Sequence, residues 1–170
     1  MRPRVALSPL LAWLAAFASV ACSPGLNWRV VQLGHLSTVL PCKPDSATRQ
    51  VLLANQSLAM EMSGCEAADT LFAISRIQAA DVAQAQALMA ELRQSDLAQV
   101  RASAVHPAPN SGDAQTSFDV LVDGKRSDGS VLQARFKWQV FESELYQIAA
   151  YGAHLGPEQI DSLVGEARIR

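Results

Sequence analysis

Leu132, Ala134, Phe136, Trp138 and Val140 alternate with Gln133, Arg135, Lys137 and Gln139. A strand points successive side chains to opposite faces, so this period of two predicts a strand with one buried and one wet face. The same alternation sets Leu58, Met60 and Met62 against Ala59, Glu61 and Ser63. That run predicts a second half-buried strand, paired as a hairpin with residues 49–53 across Ala54, Asn55, Gln56 and Ser57. Shorter apolar runs at 28–33, 37–40, 70–77, 118–122 and 145–151 read as further strands, the first ended by Gly34 and the last by Gly152. Proline cannot donate to a ladder, so Pro41 and Pro44 predict an extended corner between strands.

The period changes to that of a helix after Asp81. Val82, Ala85, Met89 and Leu92 fall on one face with Leu88 beside them, and Gln84, Gln86, Glu91 and Gln94 lie opposite. Asp81 with Gln84 three residues on is a capping-box pattern, which predicts a helix from there to about residue 102, lying flat on the sheet. Gly156, Pro157 and Glu158 open a second helix, because proline suits the first helical position and an acid the first turn. Its apolar stripe is Ile160, Leu163, Val164 and Ala167. Residues 106–113 read as a loop, 123–129 as a turn and 142–144 as a tight turn in water. The order strands, long helix, three strands, helix predicts an α+β fold. A mainly antiparallel sheet packs against one long helix and a C-terminal helix, all within one domain at residues 28–170.

The first 22 residues have a different composition. Arg2 and Arg4 precede an almost wholly apolar run from Val5 to Val20, and Ser19, Val20 and Ala21 are small enough for signal peptidase. The run is short for a membrane span and contains Pro9, so residues 1–21 are expected to be an export signal rather than an anchor. Ser19-Val20-Ala21-Cys22 resembles the lipobox of bacterial lipoproteins, with serine where that family usually has leucine. The resemblance implies lipidation at Cys22 and a membrane-tethered mature chain, with residues 22–27 as the tether. Ser23 after the cysteine points to the outer membrane, facing the periplasm. Ordinary cleavage leaving Cys22 free or paired is the alternative.

If Cys22 carries lipid, the three cysteines leave one pair, Cys42 and Cys65. Such a pair closes in an oxidising compartment, and this loop is worth about 3 kcal/mol in chain-entropy terms. The spacing is far from C-x-x-C, so a redox role has little support. The stretch 41–77 is therefore expected to be a covalently pinned corner on which the rest of the sheet is built. Gly64 beside Cys65 is read as the freedom needed to aim the sulfur.

Charge and motifs narrow the chemistry. The whole chain carries −2, and removing Arg2 and Arg4 leaves 12 basic against 16 acidic residues, or −4, with no basic run. Nucleic acid is not an expected partner. His35, His106 and His154 are separated in sequence and lack acidic or cysteine neighbours at metal-ligand spacing, so no metal and no cofactor are expected. Glu142 and Glu144 form a carboxylate pair but fall on the expected turn, where solvation rather than acid/base work is the reading. Lys125 and Arg126 read as exposed turn residues.

Leu40-Pro41-Cys42-Lys43-Pro44-Asp45, Met62-Ser63-Gly64-Cys65-Glu66 and the 146–152 strand, together with the export signal, resemble a group of uncharacterised exported Gram-negative proteins, lipoproteins among them. The order of elements is also similar to the PsbP-like fold, an antiparallel sheet sandwiched by helices. The resemblance implies a non-catalytic assembly or binding role and brings no activity to carry over. The leading expectation is a periplasm-facing lipoprotein that binds or helps assemble another envelope component. The alternative is a carrier of a small apolar ligand held between sheet and long helix by Met60, Phe72, Phe136 and Trp138. A cavity of at least ~300 Å³ is what that alternative requires.

Overall fold

The computed structural model describes residues 26–108 and 116–170. The expected export signal and the lipidation site Cys22 lie outside the described residues. The chain runs β1 (Arg29–Leu33), β2 (Leu36–Leu40), β3 (Asp45–Leu53), β4 (Gln56–Ala67), β5 (Thr70–Gln78), α1 (Val82–Gln99), β6 (Ala104–Pro107), β7 (Ser117–Lys125), β8 (Val131–Phe141), β9 (Glu144–Gly152), α2 (Pro157–Gly165) and β10 (Arg168–Ile169). The fold is α+β and every strand pairing is antiparallel.

Seven strands form one sheet in the order β3-β4-β5-β9-β8-β7-β6, and β1-β2-β10 form a small second sheet. The hairpins β3–β4 and β4–β5 turn through Ala54-Asn55 and Ala68-Asp69, all four with positive φ. Two such residues in succession give the turn whose twist matches that of the strands. After β5 the chain leaves the sheet through α1, starts again at the far edge with β6 and works back, so that β9 closes beside β5.

Two cores result, one on each face of the large sheet. On one face α1 packs on β8 and β9 through Ala85, Leu88, Met89 and Leu92 over Phe136, Trp138 and Val140. On the other, β2 and α2 cover Phe72, Ile74, Tyr146, Ile148 and Ala150 with Leu36, Leu40, Ile160 and Leu163. Thr38 of β2 donates its hydroxyl hydrogen to the Leu163 carbonyl near the end of α2 at 2.6 Å, which ties this second layer together.

The start of α1 is as expected. Asp81 accepts the Gln84 N–H at 2.7 Å, while the Gln84 side chain accepts the Ala80 N–H at 2.6 Å. Val82, placed on the apolar face by the sequence, is 51% exposed, and Asp96 takes its place in the buried stripe. α2 begins at Gly156 and Pro157 as expected and buries Ile160 and Leu163.

Cys42 and Cys65 form a disulfide with their Cα atoms 6.0 Å apart, inside the bridging range. It fastens the β2–β3 corner to β4. Gly64 has another purpose than the one expected. A Cβ there would stand 2.7 Å from the Phe72 carbonyl oxygen on β5, so glycine is what lets these strands approach.

Four further corrections concern boundaries. His106 and Pro107 belong to an edge strand, β6, rather than to a loop. β7 continues through Asp123 to Lys125, so the turn is shorter than expected. Gln133, Lys137 and Gln139 on the expected wet face of β8 are half-buried, and Arg135 is buried in an ion pair with Asp119 at 2.5 Å. Glu144 starts β9 and is buried, so only Glu142, with φ 52°, sits in the turn.

Candidate ligand groove

The strand register places small side chains in one row under the edge of α1. On the helix-facing side Gly64 stands opposite Ala73, Ala73 opposite Ala149, and Ala149 opposite Phe136. The next row holds Met62, Ser75, Gln147 and Trp138. α1 lies over β8 and β9, and of this small row Ala73 lies on the open side beyond the helix. The space left is a groove of about 770 Å³. Met60, Met62, Leu71 and Ala73 line its sheet side, and Leu92, Ser95, Asp96 and Gln99 its helix side. Arg49, Lys125, Arg126 and Asp128 stand around it. It exceeds the volume that a small-molecule site requires.

A polar network lies against this groove. Asp96, 8% exposed, accepts the Trp138 indole N–H at 2.8 Å and a Gln147 amide N–H at 2.6 Å, both on Oδ2. The Ser75 hydroxyl donates to the Gln147 carbonyl oxygen at 3.0 Å. Burial pushes the Asp96 carboxyl up to about 6, against the two hydrogen bonds, which hold it down. Tyr151 also lines the groove, with its ring edge-on to Phe136 at 5.3 Å. Burial, and then the charge of Asp96, raise its phenol above the ordinary range.

The four apolar residues expected to hold a ligand are not brought together. Met60 lines the groove. Phe136 and Trp138 are fully buried beneath α1, stacked at 5.0 Å, and belong to the core beside the groove. Phe72 is on the opposite face of the sheet, packed 6.5 Å from Trp28. The reason is the register of β5: Leu71, Ala73, Ser75 and Ile77 face the helix, so Phe72 and Ile74 must face away. Asp96 and Tyr151 were not anticipated. One signal for Asp96 was available, since it falls four residues after Leu92 on the helix's apolar stripe.

A second cluster binds the β1–β2 hairpin to the sheet. The Glu144 carboxylate accepts the Tyr146 hydroxyl, meets His35 Nδ1 at 2.8 Å and pairs with Arg76 Nη2 at 2.5 Å. Burial alone raises its pKa, but Tyr146, His35 and Arg76 together outweigh that and hold it below the usual range. The His35 backbone N–H donates to the Tyr146 oxygen at 2.8 Å. His35 is therefore tied to the fold rather than a free surface histidine.

His106 and His154, distant in sequence, line one cleft of about 420 Å³ between β7, β8 and the start of α2. Among the described residues no three His, Cys, Asp or Glu side chains are grouped as metal ligands, and no helix is long and apolar enough to cross a membrane. No family model matches this chain, and a search of curated proteins finds no match to it.

Proposed function

We propose that this protein is a non-catalytic binding module of the cell envelope that holds a small apolar ligand in the groove between α1 and strands β3, β4 and β5. The observation that carries the reading is the 770 Å³ groove with Met60, Met62, Leu71 and Ala73 along its sheet side. The groove is open to water, so an apolar ligand that covers its apolar lining gains the free energy of removing that surface from solvent. The ligand lies over Met60 and Met62, whose flexible thioethers adapt to varied apolar shapes. Export through residues 1–21, a lipid on Cys22 and an outer-membrane address facing the periplasm complete the proposal, on the strength of the lipobox-like Ser19-Val20-Ala21-Cys22. The PsbP-like sandwich belongs to the same proposal, supported by the layers on both faces of the large sheet.

Pyrene is a suitable probe because it is apolar and carries no hydrogen-bonding group. Its fluorescence should show saturable binding to the mature protein. Ala73→Trp fills the groove and should weaken binding at least tenfold while leaving the circular dichroism unchanged. Equal binding by the variant would refute the groove as the site.

A second reading, docking of another envelope protein, is favoured by one observation. β3 is the edge of the large sheet, nine residues long, with Leu52 74% exposed. An unpaired edge of this kind accepts an added strand. Crosslinking from Gln50 in intact membranes should capture a discrete partner if this holds.

A further inference from the structure

We infer that the groove takes amphiphiles with an anionic head group, held at its rim by Arg49, Lys125 and Arg126 while the apolar chain lies over Met60 and Met62. This rests on the reading of the groove as a ligand site and adds the chemical class of its occupant.

Three cations from two distant parts of the chain line this one opening. Arg49 belongs to β3, where it stands opposite Met60 and so adjoins the apolar lining. Lys125 ends β7 and Arg126 follows it, beside the end of α1, where the Lys125 N–H donates to the Val100 carbonyl. All three residues are exposed, and among the described residues none of their side chains forms an ion pair. That sets them apart from Arg76 and Arg135, whose guanidinium groups are held by Glu144 and Asp119. Acids outnumber bases in the chain, 16 to 14, so three unpaired cations around one cavity are a local reversal of its charge.

The two acids that line the groove are engaged elsewhere. Asp96 is buried and accepts from Trp138 and Gln147. Asp128 accepts the Ser130 N–H at 2.9 Å and the Ser130 hydroxyl at 2.7 Å. The carbonyls at the end of α1, which would oppose an anion, are also used: Leu97, Ala98 and Val100 accept from Ala102, Arg101 and Lys125. Two guanidinium groups and an ammonium supply donors only, so they match a head group that only accepts. A carboxylate or a phosphate is such a group, whereas an alcohol gains less from the charge and a quaternary ammonium is repelled.

Displacement of pyrene from the mature protein at neutral pH and low salt by decanoate, decyl phosphate, 1-decanol and decyltrimethylammonium tests this. The four share a ten-carbon chain and differ in the head group. The better of the two anions should compete about fivefold better than decanol, the order of one or two exposed ion pairs, and the cation should compete worst. Decanoate against decyl phosphate then tells a carboxylate occupant from a phosphate one. About 0.5 M salt should narrow the preference, because exposed charges are screened. Replacing Arg49, Lys125 and Arg126 together by glutamine should erase the preference of anion over decanol. The same loss of charge at the exposed Arg29, Lys43 and Arg170, away from the groove, should leave it as in the native protein. Decanol competing as well as both anions, or a preference that survives the groove substitutions or falls equally with the distant ones, would overturn the assignment while leaving the groove intact. Absence of pyrene binding to the native protein would overturn the groove itself, and the assignment with it.

Discussion

Asp96 is the residue through which the helix, the sheet core and the groove meet. Its carboxyl titrates near 6 in the folded protein, against an ordinary value of 3.8, because burial disfavours the charge. A raised carboxyl pKa contributes stability that is fully present below pH 4 and is lost as pH rises through 6. The shift corresponds to about 3 kcal/mol. Asp96→Asn has no such titration, so its stability relative to the native protein should improve between pH 4 and 7, as read from urea midpoints. A constant difference would mean that Asp96 does not carry a buried charge. Glu144 has the opposite sign: its pKa is held down, so its contribution is present above 4.5 and fades as pH falls through the folded value. Single residues were legible in the sequence only where pattern gave them away. Met60 was found from the alternation of β4, whereas Glu144 was assigned to a wet turn that in fact ends one residue earlier, at Ser143. Phe72 failed because both faces of β5 are buried, and alternation between two buried faces carries no wet side to orient it.

At the scale of elements, three contacts decide how layers are held. The disulfide pins the β2–β3 corner to β4, and replacing both Cys42 and Cys65 by alanine should cost about 3 kcal/mol in urea unfolding. Tyr146 links the β1–β2 turn to Glu144, so Tyr146→Phe removes one of the three donors around Glu144 and leaves the His35 N–H without its oxygen. The expected loss is about 1–3 kcal/mol, with β1 and β2 amides exchanging faster than those of β7 and β8. Uniform exchange would place the effect elsewhere. Gly124 lets β7 meet the end of α1, where the Lys125 N–H donates to the Val100 carbonyl at 2.9 Å. A Cβ at Gly124 would lie 2.2 Å from that same oxygen. Gly124→Ala must therefore push α1 off the sheet, and the protein should unfold at a markedly lower temperature. Long elements were readable because their periods and caps extend over many residues. β6 and β10 were not, since four and two residues carry no period and owe their strand form to neighbours.

For the whole molecule, the α+β class followed from the order of periods. The groove did not follow. Its lining comes from β3, β4, β5, β9 and α1, with Lys125 of β7 and Leu132 of β8, and nothing local announces which residues an antiparallel register brings together from strands distant in sequence. The chain has four methionines, and two of them, Met60 and Met62, line the groove, while Met89 is buried on the sheet-facing side of α1. Carbon-13 labelling of the methionine methyl groups therefore reports on groove and core at once. Titration with pyrene, followed by methyl NMR, should shift the Met60 and Met62 resonances saturably and leave Met89 in place. Met60 and Met62 signals that stay fixed while pyrene binds, or a Met89 signal that moves as far as theirs, would contradict the account.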